Sequence, residues 1–218
     1  MIGSIFQSLY SMVDSAVLGR FVGSHALAAI GATTPTTGLI LLLATGVTSA
    51  VSIVLSQYVG ANDNDRVRKG IVASGWITLL LGVVLGLISV FAARPLMQLL
   101  KTPEDVIDMS VLYIQIVCGC GIAQFAYNAA ASILRALGDS KTPLYFLILC
   151  SVLNVILDLI SVIGLNMGVA GVAVATVGSQ AISAAICILV MFRKYPDLMP
   201  KRHTCLLYTS PSPRDPKT

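Results

Sequence analysis

Six long apolar runs, separated by short charged links, dominate this sequence. They cover residues 2–18, 33–58, 70–93, 109–134, 143–165 and 168–192. A helix that crosses the hydrocarbon core of a bilayer needs about 20 mostly apolar residues, whereas the strands of a membrane barrel are shorter and alternate in polarity. Because these runs are long and continuous, we predict an all-α integral membrane protein, a bundle of six transmembrane helices.

The composition supports a membrane location. Only 11% of the 218 residues are charged and 56% are hydrophobic, and the mean hydropathy is +0.87. A soluble domain carries about a quarter charged residues. The formal net charge of +4 does not indicate nucleic-acid binding, because the basic residues lie between apolar runs and form no single stripe.

The basic residues predict the orientation of the bundle. The links after the second and fourth runs, and the segment after the sixth, carry nine Lys or Arg, against three on the other side. Cytoplasmic loops are enriched in Lys and Arg. We therefore expect a multi-pass plasma membrane protein of bacterial or archaeal type, located in the inner membrane where a cell has two, with a cytoplasmic N-terminus. We expect no cleavable signal peptide, since neither a basic start nor a small-residue cleavage site is present.

Two acidic residues fall inside apolar runs: Asp14 in the first and Asp158 in the fifth. An ionised side chain at membrane depth costs several kcal/mol, so such residues are usually functional and face the bundle interior. Each is therefore a candidate proton site, because burial without a basic partner raises the pKa of a carboxyl and favours its neutral form. The alternative is an acid near a helix end that reaches interfacial water.

Polar residues recur at helical spacing around these acids. Residues three or four apart share one face of a helix, so each set below predicts a polar stripe. The sets are Ser4, Gln7, Ser11 and Asp14; Gln124, Tyr127 and Asn128; Ser151, Asn154, Asp158 and Ser161; and Thr176, Gln180 and Ser183. Ser and Thr often pack helices together, but two acids with Asn and Gln favour a hydrated internal cavity.

Neither catalytic nor metal-binding motifs occur. The sequence has no zinc-protease, Walker or nucleophile-elbow pattern, so we predict no enzyme, no catalytic residue and no metal site. The cysteines form neither a disulfide nor a zinc framework, because Cys118, Cys120, Cys150 and Cys187 lie within apolar runs and suit small buried side chains.

Several stretches resemble the amino-terminal half of multidrug and toxic compound extrusion (MATE) transporters. They are SLYSMVDSAVLGRFVGSHALAAIG, SQYVGANDNDRVRKG, KTPEDVIDMSVLYIQI, LRALGDSKTP and LNVILDLI. LRALGDSKTP is the most specific, and the resemblance covers about residues 1–200. It implies one six-helix lobe of a twelve-helix transporter, whose two lobes flank a central substrate cavity.

The resemblance also implies a function. Family members export cationic or amphiphilic compounds in exchange for protons or sodium ions. One branch has a cation site formed by an acid in the first helix and an Asn-x-x-x-Asp pair in the fifth, which Asp14, Asn154 and Asp158 match. Gln7, Tyr113 and Thr176 then fit the polar network around that site.

Three departures from the family pattern bear on domain organisation. The first helix starts late, so we expect it to be truncated. The second lobe is absent, and we expect it as the partner of residues 1–200. The tail, residues 201–218, contains CLLYTSPSPRD, which resembles a translated sequencing adapter; a disordered polar tail is the alternative.

We therefore predict a multidrug antiporter that works by alternating access. Its partners would be a drug-like substrate and the lipid bilayer. Its coupling ion would be H⁺ or Na⁺, and we expect no other cofactor. Two rivals remain. A lipid-linked oligosaccharide flippase would need several basic residues for pyrophosphate, and a non-transporting membrane scaffold would need no acid at membrane depth.

Overall fold

The computed structural model describes Met12 and residues 15–198, and over this part of the chain all regular structure is helical. Helix α1 covers residues 15–21. The remaining elements are α2 (Ser24–Gly60), α3 (Asn64–Leu99), α4 (Glu104–Gly119), α5 (Ile122–Ala136), α6 (Lys141–Leu159), a π-helical turn (Ile160–Gly164), α7 (Gly168–Lys194) and a 3₁₀ turn (Pro196–Leu198).

Four single helices are long and apolar enough to cross a membrane: α2, α3, α6 with its π turn, and α7. They correspond to the second, third, fifth and sixth predicted runs. Helix α2 has 37 residues, about 55 Å of helix, which exceeds a hydrocarbon core of about 30 Å. Both α2 and α3 therefore extend beyond the apolar runs that predicted them.

Large apolar side chains cover the outer surface of the bundle. On α3, Trp76 is 62%, Leu80 65% and Phe91 80% exposed. Water would disfavour such a surface, whereas lipid tails solvate it at little cost. The distribution agrees with the all-α membrane fold predicted from the apolar runs.

The fourth predicted run differs from a single straight helix. It forms α4 and α5, which are separated by Cys120 and Gly121 and meet at an angle of 43°. The bend lies where α4 passes closely over α3. A Cβ on Gly86 would come within 3.0 Å of the Gly119 carbonyl oxygen, so the small residue on α3 permits the contact. Counting the bent pair as one span gives five spans in the described residues.

The basic links meet at one end of the bundle. Lys194 Nζ, at the end of α7, lies 2.6 Å from Asp139 Oδ2 in the α5–α6 link. The Arg68 guanidinium, at the start of α3, donates a hydrogen bond to the Asp197 carbonyl. The structure thus gathers the three positively charged segments on one side, as the charge count predicted.

Candidate functional site

The polar stripe predicted on the fifth run faces the interior of the bundle. Ser151 is 9% exposed, Asn154 2%, Asp158 0% and Ser161 7%. The first three lie on α6 and Ser161 lies on the π turn. Their spacing of three or four residues places them on one side of the helix. Asp158 is the second-to-last residue of α6, yet its side chain has no contact with solvent in this lobe.

Asp158 lies at the end of α6 opposite the basic links. It follows Lys141, at the basic end, by 17 residues, or about 26 Å of helix. A carboxylate without solvent contact is costly to keep charged, so a bound proton or cation would stabilise it there.

Asn154, four residues before Asp158 on α6, contacts α7. Its Nδ2 lies 3.5 Å from Thr176 Oγ1, and Thr176 Oγ1 itself donates to the Val172 carbonyl at 2.9 Å. Asn154 Oδ1 accepts no hydrogen bond from the described residues. A buried amide oxygen without a donor is a suitable ligand for a hard cation such as sodium.

A π-helical turn follows Asp158 directly. The chain changes from α-helix to π-helix at Ile160 and reaches the next helix through Asn166, whose φ is 52°. Close packing holds this turn, since a Cβ on Gly171 would lie 3.1 Å from Ser161 Cβ. Single π turns inside helices occur often at functional sites. Here the turn begins two residues after Asp158 and packs against α7 through Ser161 and Gly171.

A cavity of about 950 Å³ lies between α2, α5, α6 and α7. Seven of the ten stripe residues that the structure describes line it, which supports the hydrated-cavity interpretation. They are Gln124, Tyr127, Asn128, Ser151, Asn154, Thr176 and Gln180. Asp158 is not among the lining residues and lies one helical turn beyond Asn154. Asn154 and its partner Thr176 line the cavity, and Asn154 precedes the buried acid by four residues on the same side of α6.

Three predicted site residues remain: Asp14, Gln7 and Tyr113. Asp14 and Gln7 fall outside the described residues, so their predicted roles stay predictions. Tyr113, on α4, packs against an apolar cluster that includes Val162 and Val172 and does not line the cavity. Among the described residues, no three His, Cys, Asp or Glu side chains lie close enough to hold a metal ion.

Helix α2 contributes a cavity wall that the sequence interpretation missed. Thr45, Thr48, Ser49 and Ser52 line the cavity, and Ser52 Oγ donates to the Ser132 carbonyl at 3.1 Å. Their three- and four-residue spacing in the sequence could have predicted this polar face of α2. Arg135 also lines the cavity and is the only charged residue in its described lining.

Asp139, in the LRALGDSKTP motif, fixes the start of α6. Its Oδ1 accepts a hydrogen bond from the Thr142 amide at 3.0 Å, and its Oδ2 accepts one from Thr142 Oγ1 at 2.6 Å. Burial raises the pKa of the Asp139 carboxyl, but the hydrogen bonds from Lys194 and Thr142 together outweigh burial and lower the pKa to about 2. This carboxylate therefore stays charged at neutral pH and caps the first turn of α6 through Thr142.

Comparisons with known proteins identify the family. The MatE family model matches residues 1–160. The chain is 33% identical over 198 residues to the probable multidrug resistance protein YoeA of Bacillus subtilis, covering 89% of this chain and 42% of that protein. It is 35% identical over 185 residues to the probable multidrug resistance protein YpnP of the same organism, covering 84% and 41%.

Solved structures agree. A MATE transporter in its bent conformation superimposes with a TM-score of 0.87 at 26% identity, covering 98% of this chain and 47% of that one. The outward-facing conformation of a multidrug resistance MATE transporter of the MOP superfamily superimposes with a TM-score of 0.87 at 26% identity. That match covers 98% of this chain and 46% of the other. The chain thus spans less than half the length of the relatives it matches. With these matches and its all-helical lobe, the chain belongs to the MatE family of multi-pass membrane transporters.

Proposed function

We propose that this chain forms the amino-terminal lobe of an antiporter that exports cationic or amphiphilic compounds in exchange for protons or sodium ions. The observation that carries the proposal is the position of Asp158: fully buried at membrane depth and one turn from Asn154, which lines the cavity. Two relatives are named probable multidrug resistance proteins, which supports this substrate class.

The geometry suggests how ion and substrate would compete. A proton or sodium ion at Asp158 and Asn154 would alter the contact between Asn154 and Thr176. Because both side chains also line the cavity, the altered contact would change the surface offered to the substrate. Coupled transport requires that each ligand favours a different conformation, and a pair shared by both sites would provide that difference.

The test is ion-driven export by the complete transporter in proteoliposomes. We expect Asp158→Asn to abolish export driven by a proton or sodium gradient while leaving the protein folded. The matched control is Asp65→Asn, which removes an acid that is 87% exposed and should leave export unchanged. Wild-type export by the Asp158 variant would overturn the proposal.

One observation is compatible with the flippase alternative. Arg135 lines the cavity and could contact a phosphate group. A pyrophosphate-linked lipid would need several such cations, and the described lining offers one. Transport of a labelled lipid-linked sugar without any ion gradient would favour the flippase; a strict dependence on the gradient favours the antiporter.

A further inference from the structure

A second cavity lies on the opposite face of α2, away from the cavity of the candidate site. This groove runs between α2 and α3 and encloses about 680 Å³. Its walls are apolar or small, with Val47, Val51, Val54, Ala73 and Ile77 among them. Val54 is 44% and Ile77 41% exposed, so the groove opens on the outer surface of this lobe.

The groove ends in a cluster of polar residues at the basic end of the bundle. Tyr58, Arg66 and Lys69 line this end. The Arg66 guanidinium lies 6.0 Å from the centre of the Tyr58 ring and pairs with Asp63, Nε to Oδ2, at 3.1 Å. Lys69 is exposed and forms no ion pair with the described residues. The described lining contains no acidic residue.

The apolar part of the groove fits within one leaflet of a bilayer. On α3 the groove extends from Arg66 to Ile77, and on α2 from Tyr58 to Val47, twelve residues in each case. The part from Lys69 to Ile77 corresponds to about 12 Å of helix, and half of a hydrocarbon core of about 30 Å is about 15 Å. An acyl chain whose headgroup lies at Lys69 would therefore contact the groove over most of its length.

We propose that this groove binds an anionic phospholipid of the leaflet at the basic end of the bundle. Lys69 contacts the phosphate, Arg66 and Tyr58 border the headgroup, and one acyl chain lies between α2 and α3. Basic pockets between transmembrane helices are suited to anionic headgroups. The proposal depends on the membrane fold alone and is independent of the transported substrate.

The test is lipid retention by the complete purified protein, measured by native mass spectrometry after exchange into detergent with added phosphatidylglycerol or phosphatidylcholine. We expect wild-type protein to retain phosphatidylglycerol in preference to phosphatidylcholine. Each of Lys69→Gln and Arg66→Gln should weaken that retention about fivefold. Lys141→Gln, which removes an exposed cation at the same end but outside the groove, should leave it unchanged.

A second variant tests the apolar part. Ala73→Phe places a ring in the groove while leaving both cations in place, and we expect loss of the retained lipid. Val84→Phe, on α3 outside the groove and 40% exposed, is the control. Equal retention of both lipids by wild-type protein, or groove variants that behave like their controls, would overturn the proposal. The latter result would follow if the second lobe covered this face.

Discussion

Lys194 Nζ lies 2.6 Å from Asp139 Oδ2 and joins the end of α7 to the start of α6, across 55 residues of sequence. The two helices joined at this point carry Asn154 and Thr176. The contact lies at the end of α6 opposite Asp158.

Loss of the Asp139 carboxylate should destabilise the lobe. Asp139→Asn weakens the contacts with Lys194 and Thr142 at a buried position, and we expect a loss of about 1–3 kcal/mol in the free energy of unfolding. Lys194→Gln should cost less, because the Lys194 side chain is 50% exposed. Thermal unfolding in detergent measures both. A larger loss for the lysine variant would contradict the account.

The pKa of Asp139 predicts an acid-sensitive contribution to stability. Its folded-state pKa is about 2, below the ordinary value of 3.8. The stabilisation is therefore fully present above about pH 4 and is lost as the pH falls toward 2. Unfolding measured between pH 6 and 3 should show a decline that is smaller in Asp139→Asn. Since Asp139 does not titrate near neutral pH, replacing it should leave the pH dependence of transport between pH 6 and 8 unchanged.

Two glycines of α7 should respond oppositely to alanine. In Gly171→Ala the new Cβ would lie 3.0 Å from Met167 Cβ and 3.1 Å from Ser161 Cβ, and we expect destabilisation of about 1 kcal/mol or more. In Gly178→Ala the nearest atom would be Leu157 Cδ1 at an ordinary 3.7 Å, so the higher helix propensity of alanine should stabilise the protein slightly. Melting temperatures that shift in the same direction would show that the π turn is not tightly packed.

Asn154 and Gln180 should affect different parts of transport. Both line the cavity, but only Asn154 is next to Asp158. We expect Asn154→Ala to increase the ion concentration needed for half-maximal export several-fold. Gln180→Ala should change mainly the substrate KM. The same change in both variants would mean that Asn154 acts only as a cavity wall.

The sequence predicted the architecture well because lipid imposes a simple requirement on apolar length. It could not predict the bend between α4 and α5, since Cys118, Gly119 and Cys120 continue the apolar run and the bend results from contact with α3. The α2 wall was missed for another reason. Thr45 and Thr48 donate to carbonyls four residues earlier in their own helix, a pattern typical of hydroxyls that only pack.

The stripe on α6 was predictable because helical spacing determines which residues share a face. The π turn was not, because Ile160–Gly164 is an ordinary apolar segment in sequence. The turn packs against Gly171, which lies on the next helix. A contact between two helices leaves no signal in the local sequence.

The most direct test of the account is ion release when substrate is added to the purified complete transporter. Protons are followed with a pH indicator in weak buffer and sodium with an ion-selective electrode, for wild-type protein and for Asp158→Asn. The account predicts that substrate binding releases one of these ions from the wild type and none from the variant. Equal release by the two proteins would show that Asp158 does not hold the coupling ion.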